Sequence, residues 1–204
     1  MIAILDYGIG NVSSISNMLK KINSANIITS DPDVINTADK LILPGVGHFD
    51  YCMQQLRNAQ FYELLQKKVL VEKIPILGVC VGCQMLMEKS EEGNEKGLGW
   101  IKGEVVKFDK AKLPVNLRIP HMDWTDVEPN DNSPLYQDID DPRFYFVHSY
   151  HLLCENVNNI SATASYGYEF PASIVSDNIQ GVQFHPEKSH KYGMKLYKNF
   201  ANHK

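Results

Sequence analysis

The sequence predicts a three-layer α/β fold, with a mostly parallel central sheet, helices on both faces and antiparallel additions in the second half. Three observations carry this. Short β-branched runs alternate with longer helical patterns through the first half of the chain. Asp6, Gly45 and Cys80 each fall where such a run ends and a glycine-containing loop begins. The second half then changes to closely spaced strand candidates with a single further helix. At 204 residues the chain suits one domain, spanning 1–204, that buries a substantial core. We find no repeat, low-complexity tract or linker within it.

In order, a strand is expected over 2–5 (Ile-Ala-Ile-Leu) and a helix over 12–21, then a strand over 40–43 and a helix over 61–71. A third pair follows, a strand over 76–79 and a helix over 82–89. Further strands are expected over 104–108, 124–127, 144–148, 161–164, 172–175 and 181–184, joining the sheet antiparallel. Ser189 is the expected N-cap of a last helix whose Tyr192, Leu196, Tyr197 and Phe200 share one apolar stripe. Ligands of parallel sheets bind beyond the carboxyl ends of the strands, which places Asp6, Gly45 and Cys80 on one rim.

The net charge of −4, without a basic run, gives no footprint for nucleic acid or an anionic membrane. The chain opens directly on a strand, without a basic and then apolar leader, so a cytoplasmic protein with no membrane segment is expected. Cys52, Cys80, Cys83 and Cys154 make no disulfide framework in a chain of this size.

Gly78-Val79-Cys80-Val81-Gly82 places a cysteine between glycines at the junction of a strand and a helix. That is the form of a nucleophile elbow, in which the apex residue is strained and glycines let neighbouring backbone approach. A thiol at a helix N-terminus is also biased toward thiolate. A buried structural cysteine fits the same pattern, and Cys80-Val81-Gly82-Cys83 also matches a redox C-x-x-C. A base is available in Gln183-Phe184-His185-Pro186-Glu187-Lys188, where extended backbone projects His185 and Glu187 to the same side. Glu187 would take one ring nitrogen and leave the other for the sulfur. Gly8-Ile9-Gly10 is too short for a dinucleotide fingerprint, because Ser13 stands at the third glycine position.

The elbow and the His-Pro-Glu segment together resemble the class I glutamine amidotransferases, and the resemblance spans the chain from Met1 to the last helix. Within them, Asp6-Tyr7-Gly8-Ile9-Gly10-Asn11, Leu43-Pro44-Gly45-Val46-Gly47-His48-Phe49, Pro120-His121-Met122, Tyr145-Phe146-Val147-His148-Ser149-Tyr150 and Pro186-Glu187-Lys188-Ser189 are similar to the glutaminase subunit of imidazole glycerol phosphate synthase. The resemblance implies a Cys80, His185, Glu187 triad that hydrolyses L-glutamine through a thioester, with no cofactor and no metal. Oxyanion donors are expected from Val81 and from the Gly45, Val46, Gly47 loop. Gln84, Glu92, Ser149 and Tyr150 are implied as the groups that read glutamine, although Glu92 also fits a solvated acidic turn. Asn11 is implied in holding the oxyanion loop or communicating with a partner, while capping the helix near Val12 is its plain alternative.

The implied partner is a (β/α)8 barrel cyclase that receives the ammonia in a heterodimer for histidine biosynthesis. Asn11, His121, Met122, Asp123, Trp124, Tyr145 and Lys188 are implied at or near that interface. One departure stands out: the family reads Gly-Trp-Asn after Pro-His-Met, and this chain reads Asp123-Trp124-Thr125. A paralogous subunit supplying ammonia for amidino groups of surface sugars is therefore an alternative. A stand-alone cysteine hydrolase and a non-catalytic binding subunit are more remote ones.

Overall fold

The computed structural model describes residues 1–130 and 133–203. Strand β1 (Ile2–Leu5) leads through the Asp6–Asn11 loop into α1 (Val12–Lys21), and β2 (Asn26–Thr29) is followed by α2 (Pro32–Asn36). Then come β3 (Lys40–Gly45), α3 (Phe49–Asn58), α4 (Tyr62–Gln66), β4 (Ile76–Cys80) and α5 (Val81–Gln84). The second half holds β5 (Lys89–Ser90), β6 (Gly103–Lys107), β7 (His121–Pro129), β8 (Arg143–His148), β9 (Tyr150–Cys154), β10 (Ile160–Tyr166), β11 (Tyr168–Ser176), β12 (Ile179–Val182) and α6 (His190–Asn202).

The main sheet has nine strands in the order β2-β1-β3-β4-β12-β11-β10-β7-β8. Its first five strands run parallel and the remaining pairings are antiparallel. A second sheet, β5-β6-β9, lies beside it. The central strands β1, β3 and β4 are buried almost throughout, so they read as continuous apolar runs rather than as alternation. Helix α1 covers one face with Ile15, Met18 and Leu19, and α6 packs Leu196, Tyr197 and Phe200 inward.

Several expected elements differ. The helix expected over 82–89 stops after one turn at Gln84. Met85, Leu86 and Met87 are all fully buried, so the segment has no polar face for a helix to present, and it turns into β5. The helix expected over 61–71 changes at Lys67 into a π-helical turn, Lys67–Val71. There the buried Lys68 reaches the Asn36 carbonyl at 2.9 Å and Glu72 at 2.7 Å. Strand β12 pairs parallel with β4, against the antiparallel expectation. Ser189 stands at the N-cap of α6 without capping it, because its hydroxyl donates to the His185 carbonyl and accepts from Tyr145 N–H. Elements β2, α2, α3, β5 and β9 are not among the expected ones. For α3 the signal was present in Phe49, Cys52, Met53 and Leu56, which lie one helical turn apart and are all fully buried.

No helix among the described residues is long and apolar enough to cross a membrane. No group of three or more His, Cys, Asp or Glu among them is arranged to hold a metal ion.

Candidate active site

Strands β3 and β4 place Gly45 opposite Cys80 in register, so the glycine loop and the elbow leave the sheet side by side. Their backbones touch. A Cβ on Gly45 would run into the Gly82 nitrogen, and one on Gly82 into the Leu43 carbonyl oxygen. Glycine at both positions therefore permits the close approach. Cys80 takes φ 55° and ψ −113°, a left-handed-side conformation that a residue with a side chain rarely adopts, and it lies between strand and helix as an elbow requires.

The His185 ring is 3% exposed and its Nδ1 lies 2.8 Å from Glu187 Oε1. The segment is not a continuous strand as expected. His185 is extended, and the Pro186–Lys188 turn of 3-10 helix swings Glu187 back beneath the ring. That arrangement leaves Nε2 free to face the sulfur, and His185 and Cys80 line the same cavity. Burial pulls the His185 pKa down. The negative charge and hydrogen bond of Cys80, together with those of Glu187, outweigh burial and hold it up at about 10. Burial alone would raise the Glu187 carboxyl, but the His185 hydrogen bond and charge bring it below the usual carboxylate range. Asn11 contributes as well, since its Nδ2 donates to the same Oε1 at 3.0 Å. Asn11 makes no side-chain cap to α1, against the plain alternative expected for it, and its amide instead meets the triad carboxylate.

Cys80, Val81, Gln84, Glu92, Ser149, Tyr150, His185 and Lys188 line one cavity of about 390 Å³ together with Val46 and Gly47 of the glycine loop. Glu92 is not a solvated turn. Its Oε2 accepts from the Phe49 N–H at the start of α3 (2.8 Å), and Ser90 Oγ accepts from its own N–H (3.1 Å). Gln84 donates through Nε2 to the Tyr150 carbonyl at 3.2 Å and to Gln183 Oε1 at 3.1 Å. Two further loop contacts were not anticipated: the Tyr7 hydroxyl donates to the Pro44 carbonyl, and Cys52 Sγ donates to the Val46 carbonyl at 3.5 Å. Cys83 is fully buried and burial raises its thiol pKa well above the ordinary value, which does not suit a redox pair with Cys80.

The residues expected at a partner surface divide. Met122 is 58% exposed and Asp123 is exposed, with its Oδ1 accepting from the Trp124 N–H at 2.7 Å. Trp124 stacks on His190 at 5.6 Å and meets Tyr145 edge-on, while Lys188 Nζ sits over the Tyr145 ring at 5.7 Å. His121, in contrast, is fully buried and cannot touch a partner itself. It pairs with His148, a residue to which the sequence assigned only a structural part.

A family model, glutamine amidotransferase class-I, matches residues 3–203. The chain belongs to the class-I glutamine amidotransferase family. It is 52% identical over 201 residues to imidazole glycerol phosphate synthase subunit HisH 2 of Methanococcus maripaludis, covering 98% of each chain. It is 47% identical to subunit HisH 1 of Campylobacter jejuni (98% and 99% covered) and 44% identical to subunit HisH 2 of Pseudomonas aeruginosa (98% of each). Among solved structures, a glutamine amidotransferase superposes with a TM-score of 0.75 at 16% identity, covering 98% of this chain and 96% of the other. The structure of PurLQS from Thermotoga maritima gives 0.70 at 18% identity over 98% and 97%. These two likenesses speak for the fold.

Proposed function

We propose that the chain is the glutaminase subunit of an imidazole glycerol phosphate synthase, releasing ammonia from L-glutamine and passing it to a (β/α)8 barrel cyclase in histidine biosynthesis. The observation that carries this reading is the strained Cys80 beside the buried His185–Glu187 pair, at the floor of a cavity that also holds Gln84 and Glu92. Its relatives across nearly the whole chain bear that synthase's name.

Cys80 Sγ, its proton passed to His185 Nε2, attacks the side-chain carbonyl carbon of glutamine. The carbonyl oxygen becomes an oxyanion beside the Val81 N–H, which has no intrahelical acceptor in the first turn of α5. His185 gives its proton to the departing nitrogen, leaving a Cys80 thioester and ammonia. Water, deprotonated by His185, then adds to the thioester and releases glutamate and the thiol. Glu187 holds His185 by Nδ1, so Nε2 always faces the reacting atoms. Glu92 supplies negative charge for the α-ammonium of glutamine, and the Gln84 amide and Ser149–Tyr150 backbone complete its recognition.

The test separates glutamine hydrolysis from use of ammonia. Cys80→Ala should abolish glutamine-dependent product formation by the assembled pair while turnover with ammonium salts persists. Normal glutamine hydrolysis by purified Cys80→Ala protein would end the assignment.

Asp123 and Thr125 favour a second reading in which the barrel is a co-adapted paralog that uses the ammonia in another pathway. An exposed carboxylate at a docking face must find a cation or weaken the complex. Mixing the chain with a standard histidine-pathway cyclase decides this. Efficient coupling, unchanged by Asp123→Gly, excludes the paralog; poor coupling rescued by Asp123→Gly supports it.

A further inference from the structure

A continuous line of hydrogen bonds, which the hydrolysis itself does not use, runs from β7 to the cavity. Thr125 Oγ1 lies 2.8 Å from His121 Nε2, and His121 Nδ1 lies 3.0 Å from His148 Nε2. His148 Nδ1 lies 2.8 Å from the Tyr150 carbonyl oxygen, which also receives Gln84 Nε2. The last acceptor fixes the direction of every bond. A carbonyl only accepts, so His148 carries hydrogen on Nδ1 and, when neutral, accepts at Nε2. His121 must then donate from Nδ1 and accept at Nε2, which makes the Thr125 hydroxyl the donor.

Both rings are held in this arrangement. Burial brings the His121 pKa down to about 4 and the His148 pKa well below its ordinary value, so both are neutral at neutral pH. His121 is stacked between Tyr166 (4.1 Å) and Phe146 (5.0 Å), which bars the ring from turning to exchange partners. At the cavity end the same reasoning orients Gln84. Both hydrogens of its Nε2 are used, on the Tyr150 carbonyl and Gln183 Oε1, leaving Oε1 as the acceptor for a ligand.

We propose that Thr125 is a positioning residue for glutamine: its hydroxyl holds the His121 ring at Nε2, and through the His121–His148 pair it holds the placement of the Tyr150 carbonyl and the Gln84 amide. The proposal rests on the glutaminase reading above. Met122, Asp123 and Trp124 lie on the same strand between the relay's outer two members, so a partner bearing on β7 acts on both ends of the Thr125–His121 bond. Glutamine affinity is thereby tied to the docking face.

Thr125→Val keeps the side chain's shape and removes the only hydroxyl in the relay. The Tyr150 carbonyl still sets the proton order, but His121 Nε2 then has no donor facing it and the outer end of the relay is no longer held. For the full chain assembled with its barrel partner, we expect the KM for glutamine to rise about fivefold, the loss of one neutral hydrogen bond, with kcat held within about twofold. Thr125→Ser should restore the wild-type KM. Nitrogen-15 spectra of the histidine-labelled chain should show Nδ1–H on both His121 and His148 in all three proteins, with the His121 Nε2 signal moved in Thr125→Val alone as its hydrogen bond is lost. An unchanged KM in Thr125→Val, or Nε2–H on His148 in wild type, overturns the proposal. A wild-type chain with the Nδ1–H signature that hydrolyses no glutamine refutes the functional reading and spares the relay.

Discussion

Glu187 Oε1 receives both His185 Nδ1 and Asn11 Nδ2, so the carboxylate that orients the imidazole is itself oriented from the β1–α1 loop. Removing the Asn11 amide leaves a buried carboxylate with one partner fewer and freer to turn away from the ring. A hydrogen bond to a charged group is worth about 1.5–3 kcal/mol, and part of that should appear in the barrier. Asn11→Ala is expected to lower glutaminase kcat about tenfold with little change in KM. In a double-mutant cycle with Glu187→Gln the two losses should be less than additive, because both act through the same oxygen. Fully additive losses would show that Asn11 acts elsewhere. Cys80, His185 and Glu187 were legible because the elbow glycines and the His-Pro-Glu run are local patterns. The Asn11 contact was not, since it joins residues far apart in sequence that only the packing of α1 and α6 against the sheet brings together. The same holds for Tyr7 on Pro44 and His121 on His148.

The Pro44–Gly47 segment is gripped on both sides by groups outside the triad, the Tyr7 hydroxyl on the Pro44 carbonyl and Cys52 Sγ on the Val46 carbonyl. Just beyond the second grip Gly47 takes φ 104°, and Val46 is 43% exposed at the cavity mouth. The Gly45–Val46 peptide lies between the two grips, and with glycine on either side of Val46 it has two ways to point, only one of which offers an N–H to the oxyanion. One such donor is worth about 2.7–4 kcal/mol, or roughly 10²–10³ in rate. The lone chain should accordingly hydrolyse glutamine slowly and be stimulated at least about 10²-fold by a barrel partner carrying its acceptor ligand. Full activity of the lone chain at saturating glutamine would exclude a switch in this loop. At this scale the βα alternation and the antiparallel turn of the second half could be read from the sequence. The early stop of α5 could not, because a buried apolar run looks alike whether it coils or extends. Strand β9 is not legible for a related reason: the chain leaves the main sheet at Ser149 and enters the smaller one, and no local signal marks that exchange of partners.

Across the whole molecule, the cavity lies where the two sheets meet, and its wall is backed by a dense aromatic and histidine cluster. Phe108 packs against His148 and His151 at about 5 Å, and Phe170 closes the group. His121, His148 and His151 all have pKa values lowered chiefly by burial, with that of His121 brought from 6.5 to about 4. Asp123, which raises the His121 value, reduces that fall without cancelling it. The unfolded chain binds protons on these rings below pH 6.5 while the folded chain does not, so stability rises with pH through that range. For His121 it is fully present above about pH 6.5 and is lost as the pH falls toward about 4, up to about 3 kcal/mol. Thermal unfolding midpoints should therefore fall steadily from pH 6.5 to 4.5. Carboxylates also contribute to acid denaturation, so the histidine share is read from a variant. His121→Phe has no group to titrate at this position, and although it forfeits two hydrogen bonds and starts from a lower midpoint, its decline below pH 6.5 should be shallower. Parallel pH profiles for wild type and His121→Phe would show that His121 carries no proton linkage and that the acid sensitivity of the fold arises elsewhere.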